Sequence, residues 1–208
     1  MNRQSLVTMV ALVFSFVAFS FAGTGQGNVK TIQNLKDAFK GETTASAKYA
    51  AYSKKAKDEG YEKIALLFQA ASKSESIHAA NHSAAIEQIG GKMDPVTPEF
   101  EVKSTKENLQ DAIAGESYEV ETMYPDFLKA ASIENANIAL LSFNYAYQTE
   151  KKHKVLYANA LKELTAGNEG TLPDQYMVCS TCGNTYEGDA PQRCGISMTP
   201  KERFYTIK

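Results

Sequence analysis

The sequence predicts an all-α four-helix bundle followed by a small cysteine-bearing tail, and three observations predict it. From about residue 31 to 165 the chain is poor in proline, rich in Ala, Glu, Lys and Leu, and helical in pattern. The chain also repeats itself at an offset of 74, which points to a duplicated helical hairpin. Beyond residue 166 a Gly- and Pro-bearing stretch leads into "CSTCG", a change of composition that marks a second unit.

The N-terminus, "MNRQSLVTMVALVFSFVAFSFAG", has one positive charge at Arg3, an apolar run from Leu6 to Phe21, and a small-x-small ending at Ser20-Phe21-Ala22. Residues 1–22 therefore read as a secretory signal peptide cleaved after Ala22, which places the rest outside the cytoplasm, in the periplasm or beyond. The competing reading is an uncleaved anchor, since the run is slightly short of the ~20 residues needed to span a bilayer. Residues 23–30 form a flexible spacer.

Within 31–165, breaks fall at "DEGY" (58–61), at "GGKMDPVTP" (90–98) and near 133–137, leaving four helices. Helices of ~25 to 30 residues are roughly 40 Å long, which fits a bundle of matched rods. Pro125 is expected to kink or locally open the third helix. Residues 166–175 read as a linker, and 176–208 as the tail. With 22 basic and 24 acidic residues and a formal charge of −2, the chain lacks the basic excess that nucleic-acid binding needs.

"NLKDAFKGE" (34–42) and "NLQDAIAGE" (108–116) agree at six of nine positions. At the same offset "IALL" at 64 meets "IALL" at 138, and a one-residue slip then pairs Tyr49 with Tyr124, Glu75 with Glu150 and His78 with His153. A Glu on each first helix and a Glu-x-x-His on each second helix is a known arrangement of di-iron and di-manganese carboxylate bundles. Residues three apart share one helix face, so Glu and His can reach the same metal pair. Four inward acids without metal would repel one another and stay expensively buried. Ala45 in the first half corresponds to Glu119 in the second, an extra carboxylate that breaks the symmetry. Tyr49 and Tyr124 are placed to donate hydrogen bonds to ligating carboxylates.

Taken singly these features have plainer explanations: a Glu-x-x-His is commonly a solvated ion pair, Glu116 with Glu119 a charged outer face, and the tyrosines core aromatics. Their conjunction, among Ala, Ile and Leu, favours an inward metal site. His82, beside Asn81 and lacking a repeat partner, is expected to be exposed.

In the tail, Cys179-x-x-Cys182-Gly opens like one knuckle of a four-thiolate iron or zinc site, and Cys194 opens a second. Ser197 stands where the fourth cysteine would close it. Three readings stay open: an iron site with three thiolates and a serine oxygen, a structural zinc knuckle, and no metal with a disulfide among the three cysteines.

In "GETTASAKY", "SESIH", "AIAGESYEVETMYPDF", "TEKKH" and "CSTCG" through "PKERF", the chain from about Asn34 to Lys208 resembles the rubrerythrin family, ferritin-like di-iron proteins with a rubredoxin-like C-terminal domain. The resemblance implies that Glu42, Glu75, Glu116, Glu119, Glu150 and His153 hold two non-haem irons. It also implies that His78 exchanges with Glu119 on reduction. Implied too are reduction of hydrogen peroxide to water with electrons from an external donor, and a head-to-tail homodimer in which one subunit's tail approaches its partner's iron pair. Ser197 and the signal sequence depart from the family's usual form. The expected function is an exported di-iron peroxidase, with a ferroxidase or iron-binding protein as the alternative.

Overall fold

A computed structural model describes residues 28–208. The expected signal peptide, and the spacer up to residue 27, lie outside the described residues. Among those described, no helix is long and apolar enough to cross a membrane.

The bundle is two helical hairpins. α1 (Val29–Asp58) turns through Gly60 into α2 (Glu62–Gln88), and the positive φ of Gly60, 88°, suits a residue without Cβ. The stretch 89–104 has no regular structure and carries the chain across to α3 (Thr105–Tyr118), the single long crossover of a ferritin-like topology. A capping box of Ser104 and Glu107 starts α3. A π-helical turn, Glu119–Met123, follows, then α4 (Tyr124–Ile133) and α5 (Asn137–Ala166). The third rod is thus opened where Pro125 predicts. Lacking an N–H, Pro125 cannot bond the carbonyl four residues back, and a widened turn relieves the clash. The same turn absorbs the extra residue of the second half, because Ala45 pairs with Glu119 at offset 74 and Tyr49 with Tyr124 at offset 75.

Each hairpin turn caps the other hairpin. Glu134, between α4 and α5, accepts from the Thr31 N–H at 2.9 Å at the start of α1; Glu59, between α1 and α2, accepts from the Thr105 N–H at 2.9 Å at the start of α3. Carboxylates at helix N-termini satisfy orphan donors and suit the helix dipole.

One sequence alignment fails. In α2 and α5 the buried positions match at offset 75, where Phe68 pairs with Phe143 and Ala71 with Ala146, all fully buried. Pairing "IALL" with "IALL" at 74 would equate buried Leu67 with Leu141, which is 45 % exposed. Identity of four apolar letters is outweighed by the need to keep one face inward.

Two apolar clusters fill the bundle, one around Tyr49, Phe68, Leu109 and Tyr157, the other around Leu35, Ile86, Tyr124 and Phe143. The tail forms an antiparallel sheet of β1 (Tyr176–Val178), β2 (Thr185–Glu187) and β3 (Tyr205–Ile207) in the order β2-β1-β3, with Met177 opposite both Tyr186 and Thr206. It lies against α2 and α5 of its own chain.

Candidate metal centre

Both apolar clusters contribute residues that enclose a layer of acids. Glu42 on α1, Glu75 on α2, Glu116 on α3 and Glu150 on α5 are each at most 2 % exposed, and His78 and His153 are fully buried. Their side chains form two overlapping groups, Glu42–Glu75–His78–Glu150 and Glu75–Glu116–Glu150–His153, with ligand atoms within 4.8 Å of one another. Glu75 and Glu150 belong to both, which is the geometry of two bridging carboxylates between two cation positions.

The Nδ1 of His78 lies 2.8 Å from both Glu75 and Glu150, and that of His153 lies 3.1 and 2.8 Å from the same pair. Nevertheless, neither Nδ1, nor any carboxylate oxygen of Glu75 and Glu150, nor Oε2 of Glu42 and Glu116, has a hydrogen-bond partner of acceptable geometry. Buried atoms converging at such distances without bonding each other fit shared cations.

The outer imidazole nitrogens are held from the tail. His78 Nε2 lies 3.0 Å from the Cys182 carbonyl and His153 Nε2 2.9 Å from Thr185 Oγ1. A carbonyl only accepts, and the Thr185 hydroxyl donates to the Gly183 carbonyl at 3.2 Å. Both Nε2 atoms must therefore carry hydrogen, which leaves the Nδ1 lone pairs free for metal.

Both predicted tyrosine contacts form, and they cross between halves. Tyr49 donates to Glu116 at 2.8 Å, and Tyr124 donates to Glu42. His82, expected at the surface, is fully buried. The reason is that Tyr124 and Ser142 supply its ring with partners. Ser142 Oγ lies 2.7 Å from Nδ1, and Nε2 lies 3.1 Å from the Tyr124 oxygen. Since Tyr124 gives its proton to Glu42, His82 gives its Nε2 proton to Tyr124 and accepts from Ser142. Burial, then neighbouring His78, lower its pKa to about 3, so it stays neutral. Tyr157 packs behind Tyr49, ring centroids 5.5 Å apart. His82 and Tyr157 are 75 residues apart and each follows the histidine of its Glu-x-x-His by four, a signal that could have found both.

Glu119, at the start of the π-turn, is half-buried and stands outside both groups. It lines a surface pocket of about 370 Å³ with Gly41, Ala45, Lys48, Tyr49 and Gly115. Small residues at 41, 45 and 115 leave that opening. Burial, then acidic neighbours, push Glu42, Glu116 and Glu119 well above the usual carboxylate range. Burial also disfavours charge on Glu150 and His153, but each stabilises the other's charge: His78 and His153 hold Glu150 down at about 2, while Glu75 and Glu150 lift His153 to about 9.

In the tail, the Sγ atoms of Cys179, Cys182 and Cys194 are buried, unbonded and within 4.8 Å of one another. Ser197 Oγ lies 3.3 Å from Cys179 Sγ.

A family model described as Rubrerythrin matches residues 33–161. Nigerythrin of Nitratidesulfovibrio vulgaris is 34% identical over 192 residues, covering 92% of this chain and 91% of its own. Rubrerythrin-2 of Clostridium acetobutylicum is 30% identical over 178 residues, covering 85% and 96%. Among solved structures, the fully reduced, all-ferrous state of nigerythrin matches over 100% of both chains with a TM-score of 0.77 and 33% identity. A bacterioferritin of Mycobacterium tuberculosis, 18% identical with a TM-score of 0.62 over 70% of this chain and 92% of its own, shares the fold.

Proposed function

The chain belongs to the rubrerythrin family of di-iron oxidoreductases, and on that premise we propose that it is an exported peroxidase that reduces hydrogen peroxide to water with electrons from an external donor. The observation that carries the proposal is the pair of overlapping Glu/His groups whose buried ligand atoms lack partners of their own. Glu42 and His78 would hold one iron and Glu116 and His153 the other, with Glu75 and Glu150, common to both groups, shared between them. Such a pair, when bound, would supply the two electrons that reduction of peroxide to water needs, with the external donor as their source.

The protein's own residues do the rest. Gly41, Ala45 and Gly115 leave the pocket through which a molecule as small as peroxide reaches Glu119. Glu119 lines that mouth, where its carboxyl is placed to pass a proton to or from the site. Tyr49 and Tyr124 orient Glu116 and Glu42. His78 and Glu119 are the two groups that the family resemblance implies exchange on reduction; His78 belongs to the first ligand group and Glu119 lies outside both.

Export rests on the N-terminal sequence alone, and is checked by fractionating cells that make the full chain. Homodimerisation, which the family resemblance implies, is checked by mass in solution. In the family arrangement the tail serves the partner's iron pair; here it contacts its own, and exchange of tails between two chains would preserve the same contacts.

The main test is multiple-turnover peroxide consumption by ferrous-loaded protein supplied with a reductant, with iron retention measured in parallel. Turnover with iron retained supports the peroxidase. A single stoichiometric oxidation under every donor tried, with iron released, points instead to a ferroxidase.

A further inference from the structure

The tail contains two copies of one backbone knuckle, related by an offset of 15, and only the first ends in cysteine. In the first, the Gly183 N–H donates to the Cys179 carbonyl at 3.0 Å and the Cys179 N–H to the Asn184 carbonyl at 3.0 Å. In the second, Met198 N–H donates to the Cys194 carbonyl at 3.0 Å and Cys194 N–H to the Thr199 carbonyl at 2.8 Å. The residue after the closing position has positive φ in both, 76° at Gly183 and 59° at Met198. For methionine that conformation is unfavourable and persists only where the surroundings impose it. The second knuckle therefore keeps the full geometry of a ligand loop although its closing residue is Ser197.

Side-chain placement agrees with the backbone. Ser197 Oγ stands 3.3 Å from Cys179 Sγ, and Cys182 Sγ stands 3.4 Å from Cys194 Sγ. A tetrahedral site with metal–sulfur bonds of about 2.3 Å has edges of about 3.8 Å, somewhat shorter where oxygen replaces sulfur. The four atoms thus lie near the corners such a site needs. The Thr199 N–H points at Ser197 Oγ at 3.5 Å, and the Thr199 hydroxyl, which donates to Thr181, accepts from Ser197 at 2.8 Å, so the Ser197 hydroxyl is held in place with its proton turned towards Thr199.

We propose that Ser197 Oγ is the fourth ligand of a tetrahedral iron site completed by Cys179, Cys182 and Cys194. Oxygen is a harder donor than sulfur and favours ferric over ferrous iron, so the tail has a lower reduction potential than its four-thiolate counterpart would have. The tail contacts His78 and His153 through the first knuckle and β2, so the substitution falls on the other knuckle, beside exposed Met198.

The test uses the full chain as wild type, Ser197→Cys and Ser197→Ala, loaded separately with cobalt(II) and with iron. Bands from thiolate to metal report the tail alone, because the bundle ligands contain no sulfur. Wild type and Ser197→Cys should show thiolate-to-cobalt intensity in the ratio of about three to four. Ser197→Ala should hold cobalt in the tail at least about tenfold more weakly than wild type. With iron, the thiolate band should bleach at a lower potential in wild type than in Ser197→Cys. Equal affinity and potential in wild type and Ser197→Ala would remove Ser197 from the site. A wild-type tail that shows no thiolate band, or whose thiols titrate as a disulfide, would overturn the proposal as well, and the Ser197→Cys spectrum would show that the tail still folds.

Discussion

At the scale of single residues, the centre depends on who donates to whom. Ser142, His82 and Tyr124 form a one-directional series of hydrogen bonds that ends on Glu42, and each link is buried. Replacing His82 with Phe removes the donor behind Tyr124 and leaves the Ser142 hydroxyl unpaired. We expect about a tenfold loss of peroxide turnover or of iron affinity in His82→Phe, with helicity by circular dichroism retained. Glu150→Ala removes a bridge between both positions, and metal analysis should find fewer than two irons left in the bundle. Protonation gives a third expectation. His153 has a folded pKa of about 9 against an ordinary 6.5, so in metal-free protein it adds stability that is complete below pH 6.5 and lost as pH rises through 9. Glu42, Glu116 and Glu119, raised from 4.5, act with the same sign. Glu150 acts oppositely, but its contribution is lost only as pH falls through about 2. The melting temperature of metal-free protein should therefore fall between pH 6.5 and 9. Metal should abolish that fall, since it replaces the protons; melts with and without iron at each pH decide it.

At the scale of elements, the π-turn and the pocket belong together. The extra residue of the second half is housed in Glu119–Met123, and the turn presents Glu119 beside the space that Ala45 leaves open. Ala45→Leu should fill that space, raising KM for peroxide several-fold while iron content stays unchanged, as steady-state kinetics would show. That the third helix opens near Pro125 was legible in the sequence, because a missing N–H is a local property. That the opening is a π-turn holding the asymmetric carboxylate was not, because it depends on how the second half is held in register by α5. The misleading "IALL" match and the burial of His82 have the same origin. Four apolar letters and a lone histidine are ambiguous until the facing helix is known.

At the scale of the whole molecule, the tail is seated on the bundle by polar contacts to both metal-facing histidines, to Ser74 and to Asn81. Gly183 is the tightest point: a Cβ there would stand 2.4 Å from His78 Nε2, and its φ is positive. Gly183→Ala should lift the tail from the bundle. Hydrogen exchange should then rise across residues 176–208 while helix content is kept, and the bundle should hold iron more weakly because His78 and His153 lose their Nε2 partners.

The sequence by itself determined the four rods, the acids and imidazoles they carry and the two knuckle motifs, because helix periodicity, Glu-x-x-His spacing and Cys-x-x-Cys are relations between near neighbours in the chain. Only the tertiary structure decided that Glu75 and Glu150 are shared between two positions, that Tyr49 and Tyr124 serve the opposite half, that His82 is inside, and that the tail fixes both histidine tautomers. Each of these joins residues from separate elements. Their distances follow from packing two hairpins and a sheet around one buried layer of charge, which no local spacing encodes.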